Sequence, residues 1–320
     1  MRRKSIDLVY IDGVIRADVH QHIWTAPLLD ALAVRDRLPF VRRADGITVL
    51  HCAGEPAWAI DVEAESPQRR ADLLRADGLD RALIAPSSPS GLEGLPREQA
   101  QHLIDAHLAG VEALGDQFAA WGPLALDRPD PDDVDALLDR GCVGIALPAG
   151  ALAGPGALAE TAPLLARAEA RDAPVFVHPG PGRAQPIRES SLTDPLWWAA
   201  LTGYVADMQA AWLTFATAGR RDHPRLRILF AMLAGGAPLH AERLAARGGP
   251  PLDLRDPLTF YETSSYGPAA IDAVGRRVGT RQLVYGSDRP VIEPTRTEWD
   301  PVLQANAGRL ITNVEDAVAA

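Results

Sequence analysis

The sequence has little of what a secreted or membrane-bound protein needs. It contains only two cysteines, Cys52 and Cys142, which are far apart and in no metal-like spacing. This usage excludes a disulfide framework and favours a reducing compartment. The start of the chain lacks the apolar segment of a signal peptide, and no apolar run approaches the ~20 residues of a membrane helix. We therefore expect a cytoplasmic protein with no membrane partner.

The sequence also has no excess of positively charged residues. The formal net charge is −10 at pH 7, and basic pairs such as Arg220-Arg221 are short and isolated. Proteins that bind phosphate backbones present continuous basic surfaces, so we expect no nucleic-acid partner. The 320 residues are 47% hydrophobic, which is ordinary for a soluble globular protein and can bury a sizeable core.

Short apolar segments rich in β-formers alternate with longer helical patterns, which predicts βα units around a parallel sheet. The first strand is not followed by the Gly-rich phosphate turn of an open doubly wound sheet. We therefore predict a closed (β/α)₈ TIM barrel that occupies residues 1–320 as a single domain. The predicted strands are 17–24, 81–87, 118–126, 143–149, 174–180, 227–233, 259–265 and 283–288. The predicted helices between them include 131–140, 157–172, 195–219 and 267–278.

The spacing of these elements is irregular in one place. Residues 25–79, between the first and second strands, contain the hairpin-like pair ITVLHCAG and EPAWAIDVE, joined near Gly54. In barrel enzymes, insertions between a strand and its helix shape the substrate pocket. We expect residues 25–79 to form a small insertion over the barrel mouth.

Four residues that can bind metal lie at predicted strand ends. His20 and His22 are two positions apart, so they share one face of the first strand. His178 ends the run VFVH, and Asp288 ends LVYGSD. Each one alone has a structural explanation, a hydrogen-bonded histidine or a turn aspartate. Together they match the ligands of a zinc-type site with room for a water. We therefore predict metal ligation by His20, His22, His178 and Asp288.

These motifs resemble the amidohydrolase superfamily, in the amidohydrolase-related branch that includes aminocarboxymuconate-semialdehyde decarboxylase. The matching stretches are DVHQHIW, LLARAEARDAPVFVHPG, HPRLRILFAMLAGGAPLHAERL and YETSSYGPAAIDAVGRRVGTRQLVYGSDRP. The resemblance implies a distorted barrel with one divalent metal ion, commonly zinc, and a homodimer. It places the first-strand histidine pair on His20 and His22, the fifth-strand ligand on His178 and the eighth-strand aspartate on Asp288.

The sequence departs from that family after the sixth strand. Relatives carry a histidine there, in a pattern like AHLGG, whereas this chain reads FAMLAGGA with Met232 in that place. His240 lies eight residues later, where an exposed surface position is the simpler explanation. The acid–base group is then expected to be Asp288, or a residue of the insertion such as His51 or Glu55.

Hydrolysis of a small-molecule amide, lactone or ester is the leading prediction for the reaction, with Asp288 as the catalytic residue. A bound divalent ion would activate water, and Asp288 would take the proton. The alternative is non-oxidative decarboxylation or hydration of an unsaturated or aromatic acid. A third reading is a metal-binding barrel without turnover. The candidate substrate-binding residues are Trp24, His51, Glu55, Arg183 and Met232.

Overall fold

A computed structural model describes residues 15–183 and 194–312. The described residues form eleven strands, in two sheets. The strands are β1 (Ala17–Gln21), β2 (Phe40–Ala44), β3 (Ile47–His51), β4 (Trp58–Ile60), β5 (Arg81–Ile84), β6 (Phe118–Pro123), β7 (Gly144–Pro148), β8 (Val175–His178), β9 (Ile228–Phe230), β10 (Thr259–Glu262) and β11 (Leu283–Val284). The α-helices are α1 (Ala26–Ala33), α2 (Pro67–Ala76), α3 (Arg97–Glu112), α4 (Pro131–Arg140), α5 (Pro155–Ala170), α6 (Trp198–Leu201), α7 (Gly203–Thr214), α8 (Arg220–Asp222), α9 (Ala241–Ala246), α10 (Pro268–Val278) and α11 (Asp300–Thr312).

Eight of these strands form a parallel barrel, which confirms the predicted (β/α)₈ fold. Their order in the sheet is β1-β5-β6-β7-β8-β9-β10-β11. The last strand meets the first through a parallel bridge between Gln21 and Arg289 and a hydrogen bond of 3.0 Å from Val19 N to Tyr285 O. All eight predicted strands are present, and both faces of the barrel strands are almost entirely buried.

The helices begin and end where the local residues favour it. The side chain of Asp130 caps α4 by accepting a hydrogen bond of 3.0 Å from Asp132 N, and Pro131 occupies the first turn. Gly141 ends the helix with a φ of 110°, in the left-handed region that glycine adopts at least cost. The bounds of α4 are those that the sequence predicted.

Two segments differ from the sequence prediction. The helix expected over 195–219 is divided into α6, α7 and a π-helical turn, Phe215–Gly219. Within 25–79, the predicted hairpin is β3 and β4, but β2 adds a third antiparallel strand. The sequence of β2, FVRRA, places three exposed residues in a row, so it lacks the alternation that marks a strand.

None of the helices in 15–183 and 194–312 has the length and hydropathy that a membrane crossing requires. Large side chains such as Trp121 and Phe176 are buried in contact with each other inside the barrel, and Phe176 also contacts His20. Chemistry on this fold takes place at the carboxyl ends of the strands.

Candidate metal centre

Four potential ligands converge at the carboxyl end of the barrel. His20, His22, His178 and Asp288 each offer one atom, and these atoms all lie within 4.8 Å of one another. The Nε2 atoms of His20 and His22 are 3.2 Å apart. The Oδ1 atom of Asp288 lies 3.4 Å from His20 Nε2 and 3.1 Å from His22 Nε2. The structure thus brings together the four residues that the sequence selected.

Strand geometry explains how these side chains meet. His20 and His22 follow the two-residue period of an extended chain, and both are buried. His178 is the last residue of β8. Asp288 lies beyond β11 in the left-handed region, with a φ of 57°. Its backbone N donates to His20 O at 2.9 Å, which ties the loop after β11 to β1.

A second polar atom holds each imidazole in place. His20 Nδ1 lies 3.1 Å from Glu262 Oε2, His22 Nδ1 lies 2.9 Å from Ala85 O, and His178 Nδ1 lies 2.8 Å from Pro179 O. An acceptor at Nδ1 fixes the tautomer with the proton on Nδ1, which leaves the Nε2 lone pair free. All three lone pairs then point toward one centre.

Glu262 is a residue of this site that the sequence analysis missed. It ends β10, and its carboxylate is fully buried. Besides His20, it accepts hydrogen bonds from Met232 N at 3.0 Å, from Ser264 Oγ at 2.9 Å and from Ser264 N. An acidic residue that ends a buried strand, as in TFYE, was the available signal, because a buried carboxylate requires partners.

The charges around the imidazoles favour a cation. Burial lowers the pKa of His20, but the carboxylates of Glu262 and Asp288 outweigh burial and raise that pKa to about 9. Burial and the neighbouring imidazoles hold the pKa of His178 well below its usual value. The two carboxylates thus favour a positive charge beside His20, while His178 is stabilised in the neutral form that keeps its lone pair.

A buried network from residues 25–79 supports the end of β1. Arg70, in α2, donates from Nη2 to Gln21 Oε1 at 2.7 Å and to His22 O at 2.9 Å. The same guanidinium pairs with Glu65 at 3.3 Å, and Glu65 accepts a hydrogen bond of 2.9 Å from Trp24 N. These contacts hold the Gln21 side chain and the backbone of His22 and Trp24 in place.

Met232 begins an unusual stretch of backbone. Five consecutive residues, Met232 to Gly236, have φ between 44° and 75°. L-residues rarely adopt the left-handed conformation in succession, since Cβ crowds the following carbonyl. Gln209 of α7 contacts this turn by donating to Gly235 O at 2.9 Å. The Met232 side chain is half-buried against the core, and its backbone N faces Glu262.

The other predicted substrate-binding residues are scattered. Trp24 is buried beside His22, and its ring meets Trp58 edge-on at 5.5 Å. His51 stacks on Phe40 at 4.8 Å. Arg183 is exposed and lies 3.8 Å from Asp127. Glu55 is half-buried, and burial raises the pKa of its carboxyl group, while the phenol of Tyr204 in α7 lowers it.

The residues present at the centre are suited to one divalent ion. Three imidazole lone pairs and a carboxylate repel one another unless a cation lies between them, and their backing hydrogen bonds hold them in place. Zinc, manganese and iron all accept imidazole and carboxylate ligands. The donor set therefore defines a metal site without selecting its ion.

Comparisons with known proteins identify structural relatives only. No protein-family model matches the chain, and no curated protein matches it. The 5-carboxyvanillate decarboxylase LigW from Sphingomonas paucimobilis superposes with a TM-score of 0.68 at 18% identity, over 93% of this chain and 98% of that one. The 5-carboxyvanillate decarboxylase from Novosphingobium aromaticivorans, complexed with manganese and a nitrobenzoic acid, superposes with a TM-score of 0.67 at 18% identity. The match covers 96% of this chain and 99% of that one. The 2,6-dihydroxybenzoate decarboxylase from Rhizobium superposes with a TM-score of 0.63 at 17% identity, over 94% of this chain and 99% of that one.

These likenesses confirm the barrel fold that the resemblance to the amidohydrolase superfamily implied. The similar structures are mainly decarboxylases, although others are named as amidohydrolases.

Proposed function

We propose that this chain is a metal-dependent, non-oxidative decarboxylase of a small aromatic or unsaturated acid, within the amidohydrolase superfamily. The observation that carries the proposal is the convergence of His20, His22, His178 and Asp288 at the carboxyl end of the barrel. We choose decarboxylation over hydrolysis, the leading prediction from the sequence, because proteins with the same fold are decarboxylases.

We assign the metal site to one divalent ion held by His20, His22, His178 and Asp288. When bound, such an ion supplies positive charge that binds an anionic carboxylate and withdraws electrons from it. Zinc suits the donor set, and the manganese of the N. aromaticivorans enzyme makes manganese the second candidate.

Asp288 is the residue that we assign to proton transfer. Non-oxidative decarboxylation breaks the bond between the ring or alkene carbon and the carboxylate, releases carbon dioxide and leaves an electron pair on carbon. A proton must be delivered to that carbon. The Asp288 side chain is 16% exposed, so it is accessible from the barrel mouth, whereas Glu262 is fully buried among four hydrogen-bond donors.

The insertion at 25–79 completes the site in this proposal. We infer that it covers the barrel mouth, because its Arg70 donates to His22 O at 2.9 Å and its Glu65 accepts from Trp24 N at 2.9 Å. Its strand β4 contributes Trp58, which packs on Trp24 beside His22. The covered mouth would limit water around the reacting carbon.

The test separates decarboxylation from hydrolysis. Protein loaded with zinc or manganese is incubated with a panel of hydroxybenzoates and with a panel of lactones and amides. Decarboxylation predicts release of carbon dioxide in equal amount to a product that has lost one carboxyl group. Turnover of a lactone or amide without carbon dioxide would instead establish hydrolysis, and no turnover by either metal form would reject both reactions for these panels.

A further inference from the structure

Asp18, the second residue of β1, carries a fully buried carboxylate. Its Oδ1 atom accepts the backbone N–H of His20 at 3.1 Å and that of Ser287 at 3.0 Å. His20 is a proposed metal ligand, and Ser287 directly precedes another, Asp288. One oxygen atom therefore joins the backbone of β1 to the loop that follows β11.

The backbone of β1 is irregular where Asp18 binds it. Asp18 lies opposite Ala82 of β5 and Gln21 lies opposite Ile84, so three steps along β1 match two along β5. A register shift of this kind disturbs the hydrogen bonds of the sheet, and beside an active site it changes the direction of a side chain. The N–H of His20 lies inside the shifted segment and donates to Asp18. The carboxylate thus stabilises the irregular backbone that carries His20.

The loop after β11 is attached to β1 at two neighbouring positions. Besides the bond from Ser287 N to Asp18, Asp288 N donates to His20 O at 2.9 Å. Ser287 is fully buried, and its Oγ accepts from Arg289 N at 3.2 Å. Loss of the acceptor on Asp18 would leave the buried N–H groups of His20 and Ser287 unpaired, which costs free energy unless the backbone moves. Either movement would change the separation of His20 and Asp288.

The second oxygen of Asp18 ends a buried chain of hydrogen bonds that starts in α2. Arg70 Nη2 donates to Gln21 Oε1 at 2.7 Å, and Gln21 Nε2 donates to Asp18 Oδ2 at 2.7 Å. Because arginine can only donate and a carboxylate can only accept, one orientation of the Gln21 amide satisfies both neighbours. The chain therefore holds the Asp18 carboxylate in the orientation that presents Oδ1 to the two backbone N–H groups.

We propose that Asp18 is a positioning residue that sets the separation of His20 and Asp288, and with it the affinity and coordination geometry of the metal centre. The proposal rests on the metal site of the proposed function and is independent of the reaction. It differs from a role in barrel closure alone, in which Asp18 would stabilise the fold without changing how the metal binds.

The hydrogen-bond pattern suggests a substitution and its rescue. Asp18→Asn has the same shape, but it puts an amide donor against either Gln21 Nε2 or the backbone N–H groups. Gln21→Glu alone puts a second carboxylate against Asp18 Oδ2. In the double variant, the introduced carboxylate at position 21 accepts from both the introduced amide and Arg70, so every donor has an acceptor again. The double variant also keeps the net charge.

The zinc Kd, measured by competition with a chelator, is the first readout. We expect each single variant to raise it by roughly 10- to 100-fold, the usual effect of a group that supports a metal ligand. The double variant should regain ~10-fold of the affinity that Asp18→Asn loses, since residues of one network are strongly coupled. The visible spectrum of the cobalt-loaded protein is the second readout, because it depends on coordination geometry. It should change in the single variants and return in the double variant.

Asp300→Asn is the matched control, since it makes the same change at a buried carboxylate that bonds Thr297 Oγ1 at 2.6 Å. Urea denaturation of each metal-free protein measures stability. Asp300→Asn should lose stability while its zinc Kd and cobalt spectrum stay those of the unaltered protein. This control separates a general loss of stability from an effect on the metal centre.

The outcomes are distinct. A folded Asp18→Asn protein with unchanged zinc Kd and cobalt spectrum would overturn the proposal and leave Asp18 with barrel closure alone. A loss of affinity that the double variant does not reduce would also overturn it, because the loss would not follow the hydrogen-bond pattern. If Asp18→Asn does not fold, Gln21→Glu takes its place in the same comparison. Failure of the unaltered protein to bind zinc or cobalt would instead overturn the metal site of the proposed function.

Discussion

Glu262 Oε2 lies 3.1 Å from His20 Nδ1, and it connects the first barrel strand to the seventh across 242 residues of sequence. The same oxygen accepts the backbone N–H of Met232 at 3.0 Å, directly after the sixth strand. One buried carboxylate therefore fixes the orientation of a proposed metal ligand and the path of the strained turn. Outer partners of this kind tune the affinity of the ligands they contact.

We predict that Glu262→Gln lowers metal affinity by roughly 10- to 100-fold. The amide has a similar shape, but it removes the negative charge that makes His20 a better ligand. The measurement is the Kd for zinc and for manganese by competition with a chelator. Ser265→Ala, at an exposed residue three positions further on, is the control. An unchanged Kd in a folded Glu262→Gln protein would mean that Glu262 serves only the fold.

The metal centre itself gives a second prediction. Purified protein reconstituted with zinc or manganese should hold about one ion per chain by elemental analysis. His20→Ala and His22→Ala should each lose most of that metal, since each removes one imidazole from the set. His102→Ala is the control, because His102 is an exposed residue of α3. Full metal retention in both ligand variants would disprove the assigned site.

Asp288 is expected to serve chemistry more than metal retention. Asp288→Asn keeps the shape and one oxygen ligand but loses the ability to carry a proton. We therefore expect most of the metal to remain while kcat falls by on the order of 10²–10⁴, the usual effect of a positioned acid–base group. The check is kcat together with metal content in the same preparation. Near-normal turnover with metal bound would show that another group transfers the proton.

Glu93 provides a test of stability against pH. It is 1% exposed, it accepts a hydrogen bond of 2.6 Å from Ser88 Oγ, and its Oε2 has no partner among the described residues. Burial raises the pKa of this carboxyl to about 7. The folded state thus binds the proton more tightly than the unfolded chain does. The stability from the protonated form is fully present below the unfolded pKa and is lost as the pH rises through about 7.

Glu93→Gln should remove this dependence, because glutamine does not titrate. Between pH 5 and pH 8, the free energy of unfolding of the unaltered protein should fall by about 2 to 3 kcal/mol relative to that of Glu93→Gln, from the size of the pKa shift. Urea denaturation of both proteins at the two pH values measures the difference. Parallel changes in the two proteins would show that Glu93 has an ordinary pKa in the folded state.

The strands and the four metal-binding residues could be predicted because their signals are local. A run of apolar residues indicates a strand of a parallel barrel, because such a strand is buried on both faces. The two-residue period of a strand places His20 and His22 on one face. Closed-barrel geometry then brings strand ends together, so His178 and Asp288 could be predicted as neighbours of that pair. The missing alternation in FVRRA explains why β2 was not predicted.

The partners of those residues were determined only by the tertiary structure. The position of Glu262 beside His20, the reach of Arg70 to His22 O and the ring contact between Trp24 and Trp58 each join segments far apart in sequence. Such pairs depend on the packing angles between whole helices and strands, and these angles cannot be predicted from a short pattern of residues. The sequence by itself determined which atoms could bind a metal, through residue type and strand period. The closed barrel determined their orientation and charge, because burial makes each polar group depend on the partners that distant segments bring to it.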